Sequence, residues 1–216
     1  MANLTQLDSS EADVLASQAV CIDLEFYPQS RKVIQVGIVD TKGERILDCF
    51  TKYSEKGKAN LHSTSCWQAP KSSAHDKIRE EQIRRFYSKD GTLSAEEIAD
   101  RLQKTGISRE TIFLAWATRP FGLYYLRDWL DAEGFQNILP PDEKVCLILM
   151  EFRQNLREFL GSSCFRGGVF PATLPVIFMV AFGEDHPLAG KNHHALVDAK
   201  QLALLTQLFI DLCKPP

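Results

Sequence analysis

VCIDLEF, residues Val20 to Phe26, decides the fold: it is an apolar run in which the only charged side chains are Asp23 and Glu25. Side chains alternate across a strand, so carboxylates two positions apart share one face. Acids held side by side in an apolar strand repel each other unless a cation or solvent relieves them. The pair therefore reads either as one side of a metal site or as an acidic pair on the solvent face of a half-exposed strand. Working outward, KVIQVGIVD (Lys32 to Asp40) and RILDCF (Arg45 to Phe50) are also rich in β-branched and aromatic residues, and the turn-like Thr41-Lys42-Gly43 separates them. Three antiparallel strands between about Ala19 and Phe50 are predicted.

Beyond this meander the periodicity changes. Residues 51–93 carry Gly57, Pro70 and many Ser and Lys, and read as an insertion or lid in which KIREEQIRRFYSKDG forms a helix ending near Gly91. Ser94 with Glu97 makes a capping box that opens the helix AEEIADRLQKTG, and TIFLAWA (Thr111 to Ala117) follows as a buried strand. Pro120 suits the first turn of the next helix, FGLYYLRDWLDAEG, which Gly134 ends. A short strand is predicted at Val145 to Met150 and a helix over EFRQNLREFLG. LPVIFMVAF (Leu174 to Phe182) reads as an apolar strand or extended connector, and a long helix runs from Ala195 to Cys213. The order describes an α/β fold with a mixed five-stranded sheet, three antiparallel strands then parallel ones, flanked by helices. One domain over residues 1–216 is expected, with its core at about 19–50 and 94–213 and the insertion at about 51–93.

Composition narrows the classes. Hydrophobic residues at 44% and charged residues at 25% are ordinary for a globular protein and exclude a wholly disordered or fibrous chain. A net charge of −3 leaves no general basic attraction for phosphate, although bound divalent cations can supply positive charge locally. The six cysteines form no CxxC pair, so neither a zinc ribbon nor a redox motif is suggested. The N-terminus lacks the basic start and apolar stretch of a signal peptide. Pro171 and Pro175 interrupt the longest apolar run, which is too short to span a bilayer. An intracellular, reducing location with no membrane partner is the expectation.

The second chemical feature is HHALVDA, His193 to Ala199, at the start of the last helix. It can set an imidazole at the helix entrance with the Asp198 carboxylate one turn in. Imidazole is suited to take a proton from water and the carboxylate to bind a metal that acidifies it. Either histidine can instead cap the helix or fill the core, a reading that fits His194 best. Asp23-Leu24-Glu25 in the first strand, with His193-x-Ala195-x-x-Asp198-Ala199 opening the last helix, resembles the DEDDh exonucleases, a DnaQ-like branch of the ribonuclease-H-like superfamily. The resemblance covers the chain from about Val20 onward, residues 51–93 excepted. It implies Asp23, Glu25 and Asp198 as metal ligands and His193 as general base. It also implies two Mg2+ or Mn2+ ions and release of nucleoside monophosphates from the 3' ends of single-stranded RNA or DNA. Phe26, Trp116 and Phe121 are then candidate substrate-binding residues.

One position departs from the family pattern. Its middle motif is an aspartate opening a helix after the fourth strand, and here Gly122 stands in that place, between the matching Phe121 and Leu123. Asp128 and Asp131, further along the same helix, point away from it. The resemblance therefore implies a weakened second ion and attenuated activity. The alternative is an inactive pseudonuclease kept as a nucleic-acid-binding or protein-interaction module. Trp116, Phe121, Tyr124, Tyr125 and Trp129 read either as base-stacking residues or, at the spacing of 121, 125 and 129, as a core-facing stripe. Arg84, Arg85 and Lys89 read either as phosphate contacts or as part of a solvated mixed-charge helix with Glu80 and Glu81.

Overall fold

The computed structural model of the chain describes residues 19–27, 31–54, 88–160, 172–191 and 193–213. Strands β1 (Ala19–Tyr27), β2 (Lys32–Asp40) and β3 (Arg45–Lys52) form the antiparallel meander. Strand β4 (Thr92–Ser94) adds parallel to β3 and leads directly into helix α1 (Ala95–Lys104). Strand β5 (Ile112–Ala115) pairs parallel with β1, and helix α2 (Phe121–Ala132) follows it. Strand β6 (Val145–Leu147) pairs parallel with β5 and continues into helix α3 (Ile148–Leu160). Helices α4 (Leu174–Phe182) and α5 (Ala195–Cys213) complete the chain. The sheet order is β4-β3-β2-β1-β5-β6.

Alternation along β1 splits the core in two. Val20, Ile22 and Leu24 pack with Leu123, Leu126 and Trp129 of α2 and with Ile98 and Leu102 of α1. On the other face, Ala19 and Cys21 pack with Ile177 and Phe178 of α4 and with Leu196, Ala199 and Leu202 of α5. The face under α5 is the one on which Asp23 and Glu25 lie. The capping box forms, with the Glu97 N–H donating to Ser94 Oγ at 3.3 Å and the Ser94 N–H to Glu97 Oε2 at 2.8 Å.

Three expectations need correction. The sheet has six strands rather than five, because Thr92–Ser94, read from the sequence as the end of the insertion and the cap of the next helix, pairs with the edge of β3. Three residues are too few to show a period. LPVIFMVAF is a helix, with Pro175 in its first turn where no N–H is required. Every position is apolar, so no period was visible, yet the buried Leu174, Ile177 and Phe178 have helical spacing while Val180 is 77% exposed. The strand expected at Val145 to Met150 ends at Leu147, where α3 begins. The helix expected over Lys77 to Gly91 lies outside the described residues up to 87, and Ser88 to Gly91 form a turn closed by the Gly91 N–H on the Ser88 carbonyl. Among the described residues no helix is long and apolar enough to cross a membrane.

Candidate metal centre

Asp23 and Glu25 from β1 meet Asp198 from the first turn of α5. One oxygen from each carboxylate lies within 4.8 Å of the other two. Glu25 and Asp198 are buried and Asp23 is half-buried. The pairing of β1 with β2 shifts register between Glu25 and Phe26, the kind of irregularity common beside functional sites. The group is a metal-capable acidic cluster, and among the described residues no further Asp, Glu, His or Cys joins it.

What brings α5 to β1 is a glycine in the neighbouring strand. Gly37 of β2 stands opposite Asp23 in register, and a Cβ there would collide with the Ala195 carbonyl group and the Leu196 nitrogen. Only the bare backbone lets the helix start rest on the sheet beside Asp23. A buried polar network fixes the same contact. Gln35, opposite Glu25, accepts the Ala195 N–H on Oε1 at 3.2 Å, satisfying one of the donors a helix start leaves open. Its Nε2 donates to Ser88 Oγ at 3.2 Å and makes a longer 3.5 Å contact with Asp48 Oδ1. The Ser88 hydroxyl donates to Asp48 Oδ1 at 2.9 Å and the Lys89 N–H to Asp48 Oδ2 at 2.9 Å. Asp48 shares the sheet face of Asp23, but both of its oxygens are engaged here, so it serves as an anchor rather than a fourth ligand.

The electrostatics set Asp198 apart. Its Oδ2 accepts the His193 N–H at 3.1 Å, while its buried Oδ1 has no hydrogen-bond partner. Burial first, and the Glu25 charge second, push its carboxyl up to about 7, against the pull of the His193 N–H and imidazole. His193 sits at φ +65° just before the helix, 64% exposed, with Nδ1 3.7 Å from Glu25 Oε1. His194 is buried, and its carbonyl accepts the Asp198 N–H at 3.0 Å. Three hard oxygen donors, two of them buried, with one lone pair unanswered, fit a divalent cation.

The remaining sequence candidates fall elsewhere. Gly122 opens α2 on the opposite face of β1, where a Cβ would lie 3.1 Å from Leu24 Cδ1 and 3.2 Å from Phe26 Cε1. Asp128 and Asp131 are exposed on α2. The aromatic group divides. Trp129 is buried and stacks on Tyr53 at 4.6 Å, whereas Phe121 is 44% exposed. Phe26 packs edge-on against Tyr125 at 5.3 Å. Trp116 donates its indole N–H to the Ala172 carbonyl at 3.0 Å and packs against Phe152. Arg84 and Arg85 lie outside the described residues.

Gly37, Gln35, Asp48 and Ser88 were missed from the sequence. A glycine inside a strand is the usual mark of close backbone approach, and the polar Gln35 and Asp48 interrupt otherwise apolar strands. Those were the available signals. The architecture is that of a mixed α/β protein, compatible with a ribonuclease-H-like fold. No protein-family model, curated protein or solved structure matches the chain.

Proposed function

We propose that the acidic cluster is a Mg2+ or Mn2+ site for phosphodiester hydrolysis at the 3' end of single-stranded RNA or DNA, with attenuated turnover. The observation that carries the reading is the convergence of Asp23, Glu25 and Asp198 within 4.8 Å, reached from both ends of the chain. When bound, the metal supplies Lewis-acid activation of water and neutralises charge on the phosphate. Asp23, Glu25 and Asp198 would hold it. His193, exposed and leaning Nδ1 toward Glu25 at 3.7 Å, is placed to take the proton of the attacking water on Nε2. The Asp198 carboxylate fixes the His193 backbone through its N–H, so ligand and base are positioned together. The free thiols of Cys21, Cys49 and Cys146 suit a reducing compartment for this activity.

Gly122 favours a second reading, a nucleic-acid-binding module that binds metal without turnover. The two separate in one experiment. Oligonucleotides labelled at the 3' or 5' end are incubated with the protein in Mg2+ and then Mn2+. A ladder that starts from the 3' end and disappears in Asp23→Ala and Asp198→Ala supports the hydrolase. Cleavage that is the same in wild type and Asp23→Ala would be contamination, and the proposal would fail.

A further inference from the structure

Along α2, Arg31, Phe121, Tyr124, Tyr125, Arg127, Asp128 and Asp142 line a groove of about 370 Å³. Guanidinium groups lie over three of its rings. Arg31 is 6.0 Å from the centre of Tyr125, Arg119 6.0 Å from Phe121 and Arg127 5.9 Å from Tyr124. Phe121 and Tyr125, one helical turn apart, hold their rings within 12° of parallel. Among the described residues, Phe121 is one of four large apolar side chains left exposed.

The charges differ in their availability. Arg127 is occupied, with one nitrogen 2.7 Å from Asp142 Oδ1 and another 2.7 Å from the Pro140 carbonyl. Arg31 and Arg119 are exposed and make no ion pair with any described residue. Asp128 is the one carboxylate in the lining that Arg127 does not engage. In a chain of net charge −3, these two arginines, with no ion pair among the described residues, set positive charge beside flat rings. Flat rings accept any base, and guanidinium groups accept phosphate or stack in their turn. An acidic peptide would use the arginines but has nothing to lay on the ring faces.

Phe26 of β1 extends the aromatic surface, its ring packing edge-on against Tyr125 at 5.3 Å. We infer that the groove holds single-stranded nucleic acid, stacking bases on Phe121 and Tyr125 and pairing phosphates with Arg31 and Arg119. This deepens the proposed function and rests on it for the choice of nucleic acid as the occupant.

The test is fluorescence anisotropy of the full chain with a 5'-labelled single-stranded oligonucleotide, in EDTA so that neither metal nor cleavage contributes. Phe121→Ala is expected to weaken binding roughly tenfold or more. Arg31→Gln with Arg119→Gln should reduce the salt slope by about one to two, the share of two phosphate contacts on a single strand. Unchanged binding in both variants overturns this role for the groove even if the cleavage assay succeeds. Reduced binding supports it even if the cleavage assay fails. If poly-glutamate displaces the oligonucleotide as well as unlabelled oligonucleotide does, the site is a simple anion patch and the inference is wrong.

Discussion

Replacing Asp198 by Asn tests the metal centre without reference to any substrate. In the unfolded chain the Asp198 carboxyl ionises at its ordinary 3.8, whereas burial and Glu25 raise it to about 7 in the fold. Between those values the folded protein holds a proton that the unfolded chain has released. Stability associated with that proton is fully present below the ordinary carboxyl value and is lost as pH rises through about 7. At about 1.4 kcal/mol for each pH unit between them, the loss is on the order of 4 kcal/mol in metal-free protein at alkaline pH. For a chain of this size that corresponds to roughly 8–16 °C in melting temperature. Asn keeps an oxygen for the His193 N–H and carries no charge, so the variant should melt higher than wild type in EDTA at about pH 8 and level with it near pH 4. Thermal unfolding followed by circular dichroism reads both. Mn2+ should then narrow the gap, since a ligand present at about a hundredfold over its dissociation constant adds about 2.7 kcal/mol to whichever protein binds it. Identical pH slopes for the two proteins in EDTA, or equal stabilisation of both by Mn2+, would refute the reasoning.

Three further outcomes follow from the geometry. Gly37→Ala drives a methyl into the Ala195 backbone and should cost about 1–3 kcal/mol or more, with a smaller Mn2+-induced rise in melting temperature as α5 lifts from Asp23. Gln35→Leu leaves the buried Ala195 N–H without its acceptor and takes a donor from Asp48, so about 1–3 kcal/mol should be lost in denaturant unfolding. Gly122→Asp must displace Leu24 or Phe26 by a few tenths of an ångström, which should cost about 1–3 kcal/mol, and on the proposed reading it should raise cleavage in Mg2+ as measured by oligonucleotide laddering.

The sequence carried those parts of the molecule whose signals are local. β1 to β3 were legible because β-branched residues and a short turn act within a few positions. The α1 start was legible because Ser94 and Glu97 bond to each other's backbone. Asp23 and Glu25 could be placed on one face from period two alone, and Asp198 one turn inside a helix from its spacing to His193. α4 was not legible, since nine consecutive apolar residues present the same face at every angle. Nor was the role of Gln35, whose hydrogen bond to Ala195 joins positions 160 residues apart. The same distance hides Gly37, which has a purpose only because a helix from the far end of the chain rests on it.

On the proposed reading, the number of ions the cluster could hold separates a slow hydrolase from a binding module. Ligand oxygens about 2.1 Å from a Mg2+ ion stand at most about 4.2 Å apart, and around Ca2+ about 5 Å. Carboxylate oxygens within 4.8 Å of one another are therefore spaced so that all three can serve a single ion after small adjustments. A second ion has to share those carboxylates and complete its shell from water and substrate phosphate. Gly122 offers that ion no side-chain oxygen, and an acid introduced there would have to reach past Leu24 and Phe26. Ionised Asp198 is needed by the first ion, so that ion competes with a proton near neutral pH, and the His193 N–H bonded to Asp198 favours the ionised form. On the proposed reading, the first ion completes the fold of the site around Asp198, and turnover depends on whether the substrate's own phosphate can bring the second.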